Sequence, residues 1–95
     1  PKEGSHYDLA IVVGLLVAMG VISPEAIRDY AAIGELALDG SIRAVPGALP
    51  AAIGANAIGK GLICPESCGP EAAWAGDNVD VLAAPHLLSL VNHFK

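Results

Sequence analysis

Four residues near the amino end of this chain could do chemistry together: Lys2, Ser5, His6 and Asp8. A serine hydroxyl becomes a nucleophile when a base within hydrogen-bond reach takes its proton, and a lysine or a histidine can be that base. Adjacent side chains such as Ser5 and His6 diverge in most backbones, however, and catalytic partners normally converge from separated segments. The same residue types stabilise turns and cap helices. Their spacing therefore predicts Asp8 as a helix cap, with Ser5 and His6 in the turn before it. Cys64 and Cys68 form a second candidate pair, since thiolates bind zinc. Such a site needs about four ligands, and His6, His86 and His93 show no ligand spacing. No metal site is expected, and the two residues read as ordinary thiols, Cys64 buried in a strand and Cys68 in a loop. Gly59-Lys60-Gly61 is no phosphate loop, because the G-x-x-x-x-G-K-[ST] spacing and its hydroxyl are missing. Trp74 and Phe94 are expected to pack in the core or at its edge.

The elements that must hold these residues follow from local signals. Asp8 can cap a helix from Leu9 to about Met19, ended by Gly20, and its apolar residues lie on all sides, which predicts a buried helix. Ser23-Pro24-Glu25 starts a second, short helix ending near Tyr30. Ala31 to Leu38 reads as a strand, Asp39-Gly40 as a two-residue turn, and Ser41 to Val45 as the returning arm of a hairpin. Thereafter the pattern alternates. A helix from about Leu49 to Ile58 is closed by Gly59, followed by a buried strand at Leu62-Ile63-Cys64. Pro70 opens a helix through Trp74, stopped by Gly76. Val79 to Leu82 is a strand, and Pro85 starts a last helix. That order implies parallel strands covered by helices and joined to the hairpin.

Composition narrows the function classes. The chain has 95 residues, enough for one modest core. Only 4% of its residues are aromatic against 54% hydrophobic, so small aliphatic side chains must fill that core. A net charge of −5 argues against a broad nucleic-acid-binding face, though not against a local basic patch. The apolar run from Leu9 to Ile22 is too short to cross a bilayer, and no signal peptide is evident. With only two cysteines, this composition predicts a cytoplasmic protein with reduced thiols and no membrane partner.

Three segments resemble the amino-terminal domain of the Mg-chelatase-like AAA+ proteins, the ComM/YifB family. They are PKEGSHYDLAIVVGLL at 1–16, IGELALDGSIRAVPGALPAA at 33–52 and GLICPE at 61–66. The resemblance implies a single ChlI-type domain over 1–95, a fragment of a larger AAA+ protein that assembles as a homo-oligomeric, hexameric ring. ATP and Mg2+ would belong to the AAA+ module outside these residues, and DNA is the implied partner. Because Pro1 opens directly on the motif, a domain truncated at its amino terminus is expected.

The same domain is similar to the proteolytic domain of Lon, which implies an α+β fold of the ribosomal protein S5 domain 2 type, a mixed sheet covered by helices. Lon-type domains carry P-K-D-G-P-S-A-G with the serine as nucleophile. Here Pro1, Lys2, Glu3 and Gly4 match, Ser5 falls on the second proline and His6 on the nucleophile. Lon's hairpin T-G-E-I-T-L-R-G matches Ile33 to Gly40, which puts the catalytic lysine's equivalent near Ala51. One step along a helical turn re-aims a side chain by roughly 100°, so Ser5 does not replace the nucleophile. The Lon-like domain of the recombination protein RadA is similar too and also lacks the dyad. The expectation is a non-catalytic accessory domain acting in branch migration, recombination or transformation. Lys2, Ser5, His6 and Arg43 are its loop or DNA-binding candidates, with Arg28 and Lys60 as further basic residues. Gly4, Asp8, Gly34, Glu35, Asp39 and Gly40 are its structural motif. A serine hydrolase using Ser5 and a metal-chelatase component are the alternatives.

Overall fold

The computed structural model describes residues 6–76 and 78–94, with the backbone alone of His6 and Tyr7. The residues read as a loop at 6–8 form a strand, β1 (His6–Asp8), which runs directly into helix α1 (Leu9–Ala18). Asp8 makes that transition possible. Its backbone is extended while its Oδ1 accepts the Ala10 N–H at 2.8 Å, satisfying one of the donors a helix start leaves unpaired. Gly20, at φ 79°, leads the chain away. Ser23 caps α2 (Pro24–Ile27), which is shorter than predicted, by accepting the Glu25 N–H.

The strand predicted from Ala31 to Leu38 is two strands, β2 (Tyr30–Ala32) and β3 (Glu35–Ala37). Gly34 separates them at φ 142°, in space where a Cβ would stand only 3.2–3.3 Å from Ile42, Leu9 and Pro65 side-chain atoms. An apolar run does not reveal that its two halves join different sheets. β3 pairs with β4 (Ile42–Arg43) through a loop of three residues rather than two. Ala37 N–H donates to Ser41 O and Gly40 N–H to Ala37 O, both at 2.9 Å. Gly40 at φ 89° completes a three-residue hairpin loop ending in a left-handed glycine.

The second half alternates as read, with α3 (Ala48–Ala57), β5 (Gly61–Pro65), a 3-10 turn (Glu66–Cys68), α4 (Gly69–Ala73), β6 (Val81–Ala84) and α5 (Leu87–Phe94). β6 begins two residues later than predicted. Pairing with β5 fixes the start, because Leu62 N–H donates to Asp80 O while Val79 N–H is taken up by a turn to Gly76 O. α3 has only Gly47 at its cap, and Glu71 of α4 supplies the missing acceptor, its Oε2 3.1 Å from Leu49 N.

β2, β5 and β6 form a parallel sheet with β5 central, and β1, β3 and β4 an antiparallel one with β3 central. Backbone bonds stitch the two together: Ile33 N–H donates to Ile63 O and Ile42 N–H to Pro85 O, each at 2.9 Å. The architecture is thus α+β, mixed strands with helices. β5 is buried along its whole length and serves two cores. Ile63 joins Leu9, Val13, Leu36, Ile42, Ala84 and Leu90 on one face. Leu62 and Cys64 join Ala48, Ala52, Cys68 and Ala72 beneath α3 and α4 on the other, as the two-residue alternation of a strand requires. The alanines let both helices lie close to the sheet.

Three packing expectations change. α1 is not buried all round: Leu9 and Val13 point inward, while Ile11, Leu15 and Met19 face solvent. A helix apolar on every side carries no sequence mark of which side meets the sheet. Trp74, just after α4, is 83% exposed rather than packed, whereas Phe94 sits half-buried with its ring edge-on to Tyr30 at 5.6 Å. Cys68 is not in an open loop but buried in the 3-10 turn, its thiol 3.7 Å from Val45 O.

Candidate functional site

Where β1 becomes α1 and β2 becomes β3, the described residues enclose a cleft of about 470 Å³ lined by Asp8, Ala10, Ala32, Ile33, Gly34, Glu35 and Val45. It lies past the carboxyl end of β2, the end at which open sheets with parallel strands usually present their sites. Two backbone features fix its wall. Leu9 N–H donates to Gly34 O at 2.9 Å, clipping the helix start to the strand junction. Gly34 can take that place because it adopts positive φ and needs no room for a side chain.

Across the antiparallel sheet, Asp8 stands opposite Glu35 and Glu35 opposite Arg43. Residues directly opposite share a face. One rung therefore carries two carboxylates and one guanidinium. The cleft is acidic where its wall is charged, and its described lining holds no lysine or histidine. Ala51, near which the resemblance to Lon places the lysine's equivalent, lies in α3.

Asp39 and Gly40 are placed elsewhere, at the hairpin tip. Asp39 Oδ1 accepts from both the N–H and the hydroxyl of Ser41, at 2.9 and 2.7 Å. Those bonds hold its carboxyl below the ordinary carboxylate pKa, with Arg43 adding charge attraction. His86 completes the tip. Its Nδ1 accepts the Leu88 N–H at 3.1 Å, so Nε2 carries the proton and donates to Asp39 O at 2.9 Å. A side chain at Gly40 would occupy the space of that imidazole.

The structure thus gathers Asp8, Gly34, Glu35 and Arg43 into one rung and cleft, and puts Asp39 and Gly40 at the hairpin tip. Lys2, Gly4 and Ser5 lie outside the described residues, and of His6 only the backbone is described, paired with Ala37. Of the other basic residues, Arg43 lies in β4, while Arg28 after α2 and Lys60 before β5 each adjoin one end of the Gly61 N–H to Asp29 O bond.

Sequence reasoning missed two side-chain contacts. The imidazole of His86 reaches a turn 47 residues away, and Tyr30 Oη donates to Asp80 Oδ2 at 2.6 Å across 50 residues. The latter bond, then burial and the charges of Asp80 and Asp29, push the Tyr30 phenol up to about 12. Asp80 and Lys60 also border a second cleft of about 330 Å³, at the amino ends of the parallel strands. No local signal announces such long-range pairs. Burial, with Cys68 nearby, pushes the Cys64 thiol up to about 11, the opposite of what a reactive cysteine requires. Among the described residues no group of three His, Cys, Asp or Glu side chains is placed to hold a metal, and no helix is long and apolar enough to cross a membrane.

Residues 1–68 match the family model of subunit ChlI of Mg-chelatase. YifB of Salmonella typhimurium, an uncharacterized protein, is 44% identical over 63 residues, 66% of this chain and 12% of YifB. The competence protein ComM of Haemophilus influenzae is 34% identical over 77 residues, 81% of this chain and 15% of ComM. An uncharacterized protein of Mycobacterium bovis is 38% identical over 82 residues, 85% of this chain and 16% of the relative. The chain therefore spans less than a fifth of the length of each of these relatives.

Proposed function

Because the chain belongs to the Mg-chelatase-like ComM/YifB family, with the chelatase subunit ChlI as its family model, we propose that it is a non-catalytic accessory domain of a ring-forming AAA+ ATPase. On this reading ATP and Mg2+ are bound and used by a module outside these residues. The domain contributes subunit contacts and a segment, from Lys2 to Asp8, that guides DNA. Similarity to a competence protein supports the reading of a role in transformation, with branch migration or recombination as the implied step. The S5 domain 2, or Lon-like, fold belongs to the same proposal, supported by an α+β layout in which a β-hairpin joins parallel strands.

One observation carries the non-catalytic part. The described lining of the cleft beside Asp8 offers only carboxylates, backbone and apolar side chains, and near Ala51, where the resemblance to Lon puts the base, the chain has no lysine. A serine in the segment would have no lysine from α3 to take its proton. Binding DNA through the segment instead requires only that Lys2 and His6 meet phosphates, with Arg43 contributing from the rung beside the cleft.

The test uses the full-length ATPase and a four-way DNA junction. Lys2→Ala with His6→Ala is expected to weaken junction binding about tenfold at unchanged ATP hydrolysis. Each lost phosphate contact should lower the slope of log affinity against log salt by roughly 0.7–0.9. Unchanged binding and slope would remove the DNA role. In parallel, a serine-directed fluorophosphonate is expected to leave the protein unlabelled. Labelling abolished by Ser5→Ala would establish the hydrolase instead.

A further inference from the structure

The imidazole of His86 is held by two backbone groups of opposite character. Nδ1 faces the N–H of Leu88 at 3.1 Å, a group that can only donate. Nε2 faces the carbonyl of Asp39 at 2.9 Å, a group that can only accept. The neutral ring protonated on Nε2 satisfies both. An imidazolium, a donor on both nitrogens, satisfies only the carbonyl. Shape fixes the ring as well, because it lies where Gly40 leaves room: a Cβ there would stand 2.7 Å from Nε2.

We infer that His86 is a proton-operated latch between the hairpin tip and α5, closed by the neutral ring and loosened by the imidazolium. Proton uptake at Nδ1 sets N–H against N–H, so the cap on Leu88 is lost while the bond to Asp39 O persists. The new charge also stands at the amino end of α5, where the helix dipole disfavours a cation. Among the described side chains, those of the hairpin act on that charge in both directions. Arg43, whose guanidinium charge reaches Asp39 at the tip, opposes it, and Glu35 stands opposite Arg43 further down the hairpin. The Asp39 carboxylate favours the imidazolium, but its Oδ1 already accepts two bonds from Ser41 and restores no acceptor to Leu88 N–H. On α5 itself, His93 lies about two turns away. The change stays local. Leu87 N–H still donates to Gly40 O at 2.8 Å and Ile42 N–H to Pro85 O at 2.9 Å, so the first turn of α5 frays while the hairpin remains docked. The latch does not depend on the role of Lys2 to Asp8 with DNA.

Hydrogen exchange of the full-length protein tests it, read by mass spectrometry at about pH 8 and about pH 5.5, a range across which imidazoles ordinarily change charge. Rates are corrected for the intrinsic pH dependence of amide exchange. Protection at Leu88 is expected to fall about fivefold at the lower pH, the effect of losing a helix cap. Leu62, whose N–H donates to Asp80 O in the sheet, should keep its protection. His86→Asn offers an acceptor that does not titrate, at a position where asparagine is among the strongest caps, and should protect Leu88 equally at both pH values. His86→Ala offers none and should leave Leu88 unprotected at both. Equal protection of Leu88 in the wild type at the two pH values overturns the inference. So does a fall that persists in His86→Asn, a Leu88 still protected in His86→Ala, or a fall that Leu62 shares, which would mark acid unfolding of the whole sheet.

Discussion

Tyr30 and Asp80 show how much a single pair of side chains can set. The phenol donates to the carboxylate at 2.6 Å, at the position where β2 and β6 flank the start of β5. Gly61 is the reason they can meet: a Cβ there would lie 2.5 Å from Asp80 O and 2.9 Å from Tyr30 Cε1. Ionising the phenol would put a negative charge against Asp80, so the folded chain keeps that proton up to about pH 12 against an ordinary value of 10.0. The folded state thus binds the proton more tightly than the unfolded one. The stability this contributes is fully present below pH 10 and is lost as pH rises from 10 through about 12. Absorbance at 295 nm should resolve one tyrosine ionising near pH 12. Tyr30→Phe should remove that transition and Asp80→Asn should move it toward pH 10; an Asp80→Asn curve that matches wild type would refute the assignment.

At the scale of elements, the hairpin and the last helix are locked by one imidazole. His86 precedes α5 and caps it through Nδ1, while Nε2–H holds the carbonyl of Asp39 in the hairpin loop. Leu87 N–H adds a bond to Gly40 O at 2.8 Å, and Ser41 bridges to His86. His86→Ala deletes two hydrogen bonds, each worth about 0.5–1.5 kcal/mol, one of them a helix cap. A loss of about 1–3 kcal/mol in denaturant unfolding is expected, together with faster amide exchange at Leu88 and Gly40. Exchange unchanged at Gly40 would show that the tip stands without the ring. The element signals that the sequence carried plainly are local ones: Asp8 before α1, Ser23-Pro24 before α2, and Gly59 after α3. Each depends on groups two to four residues apart, so the chain announces it. The break at Gly34 and the half-exposed face of α1 were not announced, because both depend on which distant strand lies alongside.

The chain forms a flat body, 33 × 32 × 20 Å, organised about β5. Since β5 faces both cores, the two should unfold together rather than one after the other. Ile63→Ala and Leu62→Ala, which open opposite cores, are each expected to cost about 2–5 kcal/mol and to preserve a single cooperative transition by both circular dichroism and calorimetry. Two separated transitions would show that the cores are independent. The candidate site was legible only in part. Its motif residues are contiguous runs, so Asp8, Gly34, Glu35, Asp39 and Gly40 could be picked out from the sequence and its resemblance. Their division into a cleft rung and a hairpin tip could not. By itself the sequence determined the alternation of elements, their caps and turns, the α+β class and the family, because those rest on local backbone chemistry and on residue order. Only the tertiary structure decided which face of α1 meets the core, that Gly34 splits one apolar run between two sheets, and that Tyr30 finds Asp80 and His86 finds Asp39. Those outcomes depend on contacts between residues far apart in the chain, and such contacts exist only once the strands have paired and the helices have packed.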